Sequence, residues 1–501
     1  MTGLGLAGAG LGGVALAAPA FHDLDELTSS HSAQAKRAWW VKEADEPTVE
    51  IDWDLMHRDV SQTCQSSALH ARYHGWEGWE AKRRSNSASD NIGLDLTVSD
   101  KPGYKLRDMA LYDANGASGS VSYSRDSAGH LIVGRGKTPE ERGVPRWTGT
   151  PEEAAKMLRA FMVYAGAANI GVSELDEHHR KIVCLTGQNV SHKSYFPWAP
   201  VNKWPAPSTV TEPIEFDAND NVYRMDPTTR TNYIPSSIPI YDVVYSVPQD
   251  AELNLRRPTP FGQAAQTRYR LRTNIQYMTF TFLKGLGYWA DSLPYRGYPD
   301  QASAVLSGLS ETSRHTLMSI SPEFGAFMGT FTFVTDLPLA HTKPIDAGIW
   351  RFCDNCGICA DVCPSGSIEP KGGREKSWEP TASSVVPKHP PLPGWKAEAE
   401  YHKVGCKRYW TDMISCCEFI MSTESCFRCW GSCVFNGANE AMVHNVVRAT
   451  ASTTGLLNSF FANMHGIFGY GLKEGDAIEE WWDMSLPSYG WDTSKLANKK
   501  Y

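Results

Sequence analysis

Residues 351–368 read RFCDNCGICADVCPSGSI, and the cysteines in this stretch decide how the rest of the chain is read. Cys353, Cys356 and Cys359 are separated by two residues each, so one short loop can offer three thiolates to successive corners of a single iron–sulfur cubane. Cys363 follows after three residues and is closed by Pro364; with this spacing the fourth thiolate ligates a neighbouring cluster. A second run, Cys426-x2-Cys429-x3-Cys433, repeats the interval, with Val434 in place of the proline and its leading cysteine displaced. By the same two-cluster logic Cys433 crosses back. The first four-iron cluster then takes Cys353, Cys356, Cys359 and Cys433, and the second takes Cys363, Cys426, Cys429 and one more. Cys406, Cys416 and Cys417 compete for that last place. A few added residues change loop-closure cost little, so spacing leaves all three open; we favour Cys416, with Cys417 next. Structural zinc also uses paired cysteines, but it seldom needs a third at the same interval followed by Cys-Pro.

The distribution of thiols supports metal over disulfides. Ten of the 12 cysteines lie between Cys353 and Cys433, whereas disulfide frameworks staple small secreted domains. The two outliers, Cys64 and Cys184, read as small buried hydrophobes. The chain is otherwise that of a large globular protein: 501 residues, 42% hydrophobic and 21% charged. A net charge of −8 without a long basic run argues against a nucleic-acid binder. No GxGxxG follows a strand and no P-loop occurs, so a nucleotide cofactor held by those motifs is not indicated.

Leu4–Phe21 is weakly apolar, Gly/Ala-rich and uncharged, too short for a convincing membrane span but suited to the apolar region of an export signal. No positive segment precedes it here. We expect a twin-arginine pair upstream of Met1, so that 1–21 is a signal remnant. Residues 22–147 read as an irregular N-terminal region wrapping a core.

A helix is expected from Thr150, an N-cap followed by Pro151, Glu152 and Glu153, with an apolar stripe at Met157, Leu158, Phe161, Met162 and Ala165 and a stop at Gly166. A strand is expected over Ala168–Val172. A second helix is expected from Gln263 to Leu286, with Leu271, Ile275, Met278 and Phe282 on one face and Gly287 as its stop. Pro294–Pro299 reads as a loop. The tail alternates helical apolar stretches with an aromatic end, Trp481, Trp482, Tyr489 and Trp491.

Ser321-Pro-Glu-Phe-Gly325, Thr335-Asp-Leu-Pro-Leu339, Lys343-Pro-Ile-Asp-Ala-Gly348 and the Cys353 run together resemble the corrinoid-dependent reductive dehalogenases. So do the helix opening Thr150-Pro151-Glu152, the Leu286-Gly-Tyr288 turn, the tail Phe468-Gly-Tyr-Gly471 and the start Gly-Leu-Gly-Leu-Ala-Gly-Ala-Gly with Phe21-His-Asp-Leu-Asp25. The resemblance implies an α+β fold: a nitroreductase-like core (148–345) holding a base-off corrinoid, a bacterial ferredoxin-like module with two 4Fe–4S clusters (346–440), and a C-terminal helical tail (441–501) packed on the core. No Asp-x-His-x-x-Gly cobalamin motif is present, which agrees with that family.

The resemblance also places the family's catalytic tyrosine 18 residues before the glycine of the Gly-Tyr turn, at Tyr269. The family commonly carries an arginine where this chain has Gly329. Arg268, Arg270 and Arg296 are the candidates to replace it. Trp289 and Tyr295 are proposed to line the pocket. The implied activity is removal of halide from a halogenated organic compound in anaerobic respiration, with electrons entering through the clusters. The implied setting is the outer face of the cytoplasmic membrane, beside a membrane-anchor subunit and an upstream electron donor. An epoxyqueuosine reductase-like enzyme is the nearest alternative, disfavoured by the export-like start and the acidic balance. A plain electron-transfer subunit would not need some 300 residues ahead of its clusters.

Overall fold

The computed structural model describes residues 37–59, 73–74, 100–108, 124–133, 136–188, 211–265, 268–294, 297–378, 403–423, 426–436 and 442–483. The expected first helix, α1 (Pro151–Ala165), opens with a reciprocal capping box: Thr150 Oγ1 accepts from Glu153 N at 3.2 Å, and Thr150 N donates to Glu153 Oε2 at 2.9 Å. Gly166, at φ 113°, closes it in a conformation that costs other residues strain. The next strand, β1 (Asn169–Glu174), runs two residues beyond the expected Val172 because β2 (Tyr241–Pro248) supplies partners as far as Glu174↔Tyr241.

The second helix starts later than expected. Gln263 ends a separate turn, Pro260–Gln263, capped by the Thr259 hydroxyl, and the long helix α2 spans Arg268–Leu286. Gly287, at φ 90°, stops it as expected. The remaining core elements are β3 (Ala290–Asp291), α3 (Asp300–Leu306) and β4 (Met328–Thr335). The sheet order is β3-β4-β2-β1, antiparallel throughout.

Strand alternation sorts the sheet into two buried faces. Phe331 and Phe333 of β4, with Tyr245, Val243 and Val247 of β2, face α1 and α2 and meet Leu158, Met162, Ile275, Phe280 and Leu283. The two helices lock through Phe161 and Phe282, whose rings stack at 4.1 Å. Val244 faces the other way, against Ala304 and Leu309 around α3. The body is therefore a helix–sheet–helix sandwich, and burying each such large side chain contributes about 1.5–3 kcal/mol.

The cysteine region packs on one end of this body. It comprises α4 (Ile349–Asn355), α5 (Ile358–Asp361), α6 (Met413–Thr423) and α7 (Arg428–Gly431), with α8 (Met442–Thr453) and α9 (Asn458–Ile467) against α4. The carboxylate of buried Glu311 pins α4: it accepts from Thr48 Oγ1 at 2.7 Å and from Ala347 N and Ile349 N at 2.8 and 3.1 Å. Ala326 N, just before β4, donates to Asn436 Oδ1 at 2.8 Å and ties the second cysteine run to the sheet. Of the aromatic tail, Trp481 and Trp482 pack on Phe261 with centroids 5.3 and 5.5 Å away; Tyr489 and Trp491 lie outside the described residues. Among the described residues no helix is long and apolar enough to cross a membrane.

The face of β2 that meets α3 also carries buried polar groups, Asp242 and Ser246. Asp242 is buried and accepts from the Ser303 hydroxyl; burial first, with Asp300 nearby, raises its pKa to about 7, against smaller opposing effects of Ser303, Tyr298 and His179. The folded state therefore binds a proton that the unfolded chain releases near pH 4. That contribution to stability is complete below pH 4 and is lost as pH rises to 7, on the order of 1.4 kcal/mol per pH unit. Asp242→Asn should flatten this slope: between pH 5 and 7.5 the melting temperature of the wild type should fall more than that of the variant. Equal slopes would show that Asp242 ionises without penalty.

Candidate functional site

The thiols gather into two groups. Cys359 lies within electrostatic reach of Cys356, Cys353 and Cys433, and Cys433 of Cys353 and Cys356. Cys416 lies in reach of Cys426 and Cys363, and Cys429 of Cys426, Cys416, Cys359 and Cys363. Cys433 of the second run thus lies near the first run, and Cys363 of the first run lies near the second. The Cys359–Cys429 approach brings the quartets side by side, where α5 packs on α7.

Cys406 is elsewhere, beside Arg408 and Lys403 and packed with Ile51 and Met56. Cys417 is fully buried next to Cys416. Cys184 is fully buried, and Cys64 lies outside the described residues. Among the described residues no three His, Cys, Asp or Glu side chains close round a single-ion position.

Burial raises every quartet thiol for which a shift is resolved: Cys353 to about 12, Cys426 to about 11, and Cys359, Cys416, Cys429 and Cys433 clearly upward. Such thiols lose their protons only when a positive group arrives to offset the buried charge. The backbone is arranged for that. Amides of Gly357 and Ile358 point at Cys356, Arg428 N at Cys426 and Phe435 N at Cys433, while Ser367 N donates to Cys363 Sγ at 3.3 Å. Arg314 braces the first loop, donating to Cys353 O at 3.0 and 2.7 Å and to Glu369 O at 3.1 Å. A donor set of eight buried or half-buried sulfurs, four of them with backbone amides aimed at them, fits iron–sulfur clusters.

Tyr269 sits on the first turn of α2, edge-on to Phe331 of β4. Arg268 Nη2 donates to its phenolic oxygen at 3.0 Å, and the same guanidinium lies over the Trp430 ring at 5.3 Å from the centroid. Trp430 directly follows Cys429, so the chain from the second quartet to the Tyr269 phenol is Cys429–Trp430–Arg268. Arg268 reaches this position because residue 329 has no side chain. A β-carbon at Gly329 would stand 2.1 Å from Arg268 Cδ, 2.8 Å from its Cβ and 2.9 Å from its Cγ. Of the three arginines considered, Arg268 is the one seen on the phenol; Arg296 and the Arg270 side chain lie outside what is described.

A second buried arginine was not anticipated from sequence. Arg257 stacks on Phe427 at 5.0 Å and Trp430 at 5.9 Å, and burial, then Arg268, lowers its pKa to about 9 against the pull of Cys426 and Cys429. Trp430, adjoining a cluster cysteine, carried a readable signal; Arg257, Arg314 and Glu311 carried none.

Trp289 is not beside Tyr269. It follows the far end of α2, about 26 Å away at 1.5 Å per residue. There it stacks on Tyr223, donates Nε1 to Asn221 O at 2.9 Å, and lines a separate cavity of 780 Å³ with Lys284, Tyr288, Asp291 and Asp336. Tyr295 lies outside the described residues.

Comparison with known proteins matches residues 36–339 to the family described as reductive dehalogenase subunit. Over 539 aligned residues the chain is 30% identical to the chloroethene reductive dehalogenase of Dehalococcoides mccartyi strain VS, covering 98% of this chain and 97% of that one. It is 28% identical to the trichloroethene reductive dehalogenase of the same species, over 98% and 96% of the two chains. Among solved structures, a catabolic reductive dehalogenase in complex with 3-bromo-4-hydroxybenzoic acid shares the fold, with a TM-score of 0.54 at 15% identity over 86% of this chain; the present chain spans about half (49%) of that one.

The Gly329–Arg268 contact is open to a direct test. Gly329→Ala should overpack the site and cost about 1–3 kcal/mol, read as a lowered melting temperature. In an Arg268→Ala background the same change should cost little, because the colliding atoms are gone. Additive losses would mean that the two positions do not meet.

Proposed function

The chain belongs to the reductive dehalogenase family, and from that premise we propose how its own residues serve the reaction. As an oxidoreductase of this family it removes halogen from a halogenated organic compound: a carbon–halogen bond is replaced by carbon–hydrogen, consuming two electrons and one proton and releasing halide. Reductive dehalogenases are corrinoid and iron–sulfur proteins.

We assign Cys353, Cys356, Cys359 and Cys433 to one 4Fe–4S cluster and Cys363, Cys416, Cys426 and Cys429 to the other. The support is the exchange of Cys363 and Cys433 and the position of Cys416, rather than Cys406, among the second quartet. Residues 346–440 then form the ferredoxin-like module on a nitroreductase-like core. A base-off corrinoid suits the Tyr269 end of the sheet, where Gln249 Oε1 is buried and unpaired among the described residues; an amide-fringed macrocycle carries a complementary donor. Bound there, such a group would supply the reducing cobalt chemistry needed for carbon–halogen cleavage.

The protein's own part is positional. Tyr269 carries the proton that the reduced carbon accepts, and Arg268 fixes its oxygen at 3.0 Å and stabilises negative charge left on it. Phe331 and the buried wall of the sheet keep water from the carbon. The observation that carries this reading is one phenol held by a buried cation beside the second cysteine quartet. We further propose export, a peripheral position on the outer membrane face, and work with a membrane anchor and an upstream electron donor. The uncharged Leu4–Phe21 stretch supports the export part.

Anaerobic assay of the matured, corrinoid-loaded enzyme should begin with chlorinated ethenes, the substrates named for its relatives. Tyr269→Phe should lower turnover by about 10²–10⁴-fold with iron and corrinoid contents unchanged; near-wild-type turnover would remove Tyr269 from the mechanism. Cys416→Ala should halve the iron content, whereas Cys417→Ala and Cys406→Ala should leave it intact. Iron lost with Cys417 instead would reassign that ligand.

A further inference from the structure

One terminal nitrogen of Arg268 has a partner among the described residues and the other has none. The residue is 8% exposed, Nη2 is taken by Tyr269, and Nη1 is buried with no hydrogen-bond partner among the described residues. No carboxylate among the described residues pairs with it. The neighbouring cation is differently placed: Arg257 has the sulfurs of Cys426 and Cys429 to face and Asn254 and Gln263 to bond. A buried cation with a free donor and no counter-charge is costly unless something anionic completes it. A second free donor is near, because the indole under Arg268, Trp430, has its Nε1 buried and unpaired too.

Resting on the dehalogenase reading above, we propose that Arg268 Nη1 is the seat of the departing halide, with Trp430 as the floor beneath it. The two terminal nitrogens share one carbon, so the free donor lies within a few ångströms of the phenol that delivers the proton. Each turnover releases a monatomic anion at the carbon that receives that proton. One planar fork thus handles both products of the bond change: Nη2 holds the proton donor and Nη1 receives X⁻. The indole face adds a cation–π contact that keeps the guanidinium flat and aimed, and its N–H offers a second donor. Halide that binds here while the cation is needed for the next proton transfer acts as a product inhibitor, competing with the halogen end of the substrate.

The experiment uses the matured holoenzyme and sodium bromide at constant ionic strength, with two readouts: bromide inhibition of dehalogenation, and chloride-35 line broadening of the resting enzyme reversed by bromide. Arg268→Gln should weaken both halide readouts at least tenfold. Arg268→Lys should retain much of the halide binding while shifting the pH profile of turnover, because an ammonium cannot hold phenol and halide as a fork does. Trp430→Phe, which keeps the stack and removes the N–H, serves if Arg268 variants fail to fold, and should weaken binding severalfold. Wild-type halide binding in Arg268→Gln, as expected if the cofactor metal held the anion, overturns the proposal. So does loss of corrinoid from Arg268→Gln, which would give Nη1 to the phosphate of the cofactor's nucleotide tail. Failure of the wild type to dehalogenate any compound sinks the functional reading instead, and leaves the chloride-35 result to be judged by itself.

Discussion

The gathering of thiols from both cysteine runs into one region, with Cys433 near Cys353 and Cys356 and Cys363 near Cys416 and Cys429, is the constraint on which our reading of this end of the molecule depends. Cys363 leaves the run that contributes Cys353, Cys356 and Cys359, and Cys433 leaves the run that contributes Cys426 and Cys429. In the proposed assignment neither run completes a quartet alone, so the segment between them has to return to the starting point. Burying that much sulfur is unfavourable until metal arrives, and the surrounding structure is built to hold the geometry meanwhile. Glu311 fixes the start of α4, Arg314 spans from Cys353 O to Glu369 O, and Asn436 fastens the second run to the residue preceding β4.

That same attachment sets the geometry of the chemistry. Gly325 and Ala326 lie against Phe435 and Asn436, immediately before β4 begins, so the start of β4 is tied to the cysteine region. Gly329 follows three residues later and admits Arg268, which holds Tyr269. Trp430 closes the loop from the other side, being covalently next to Cys429 and stacked under Arg268. The second cysteine run, the Tyr269 phenol and the buried Arg268 are thereby positioned by one strand and one helix start, a few residues from each other.

Much of this was readable from the chain. The cysteine intervals point to two quartets with one place left open among Cys406, Cys416 and Cys417, and Thr150 to Gly166 carries the cap, stripe and stop signals of a helix. Elements failed to match where the signal was local but the decision was not: α2 begins at Arg268 because Thr259 and Pro260 start their own turn, and β1 is lengthened by its partner. Tyr269 could be named only through resemblance, since a tyrosine on a helix looks like core packing. Trp289 followed it closely in motif and lies at the other end of the helix. The role of Gly329 was invisible, because an absent side chain has meaning only once the atoms filling its place are known. Arg257, Arg314 and Glu311 act through contacts far away in sequence, which no local pattern encodes.

The notch in β4 has a practical corollary. Positions 268 and 329 share one volume, so they behave as a single design variable. Enlarging either residue alone forces a collision, and trimming Arg268 alone leaves a void against the strand. A library that varies them jointly, moving bulk or charge from helix to strand, would reshape the reaction chamber without tearing its wall.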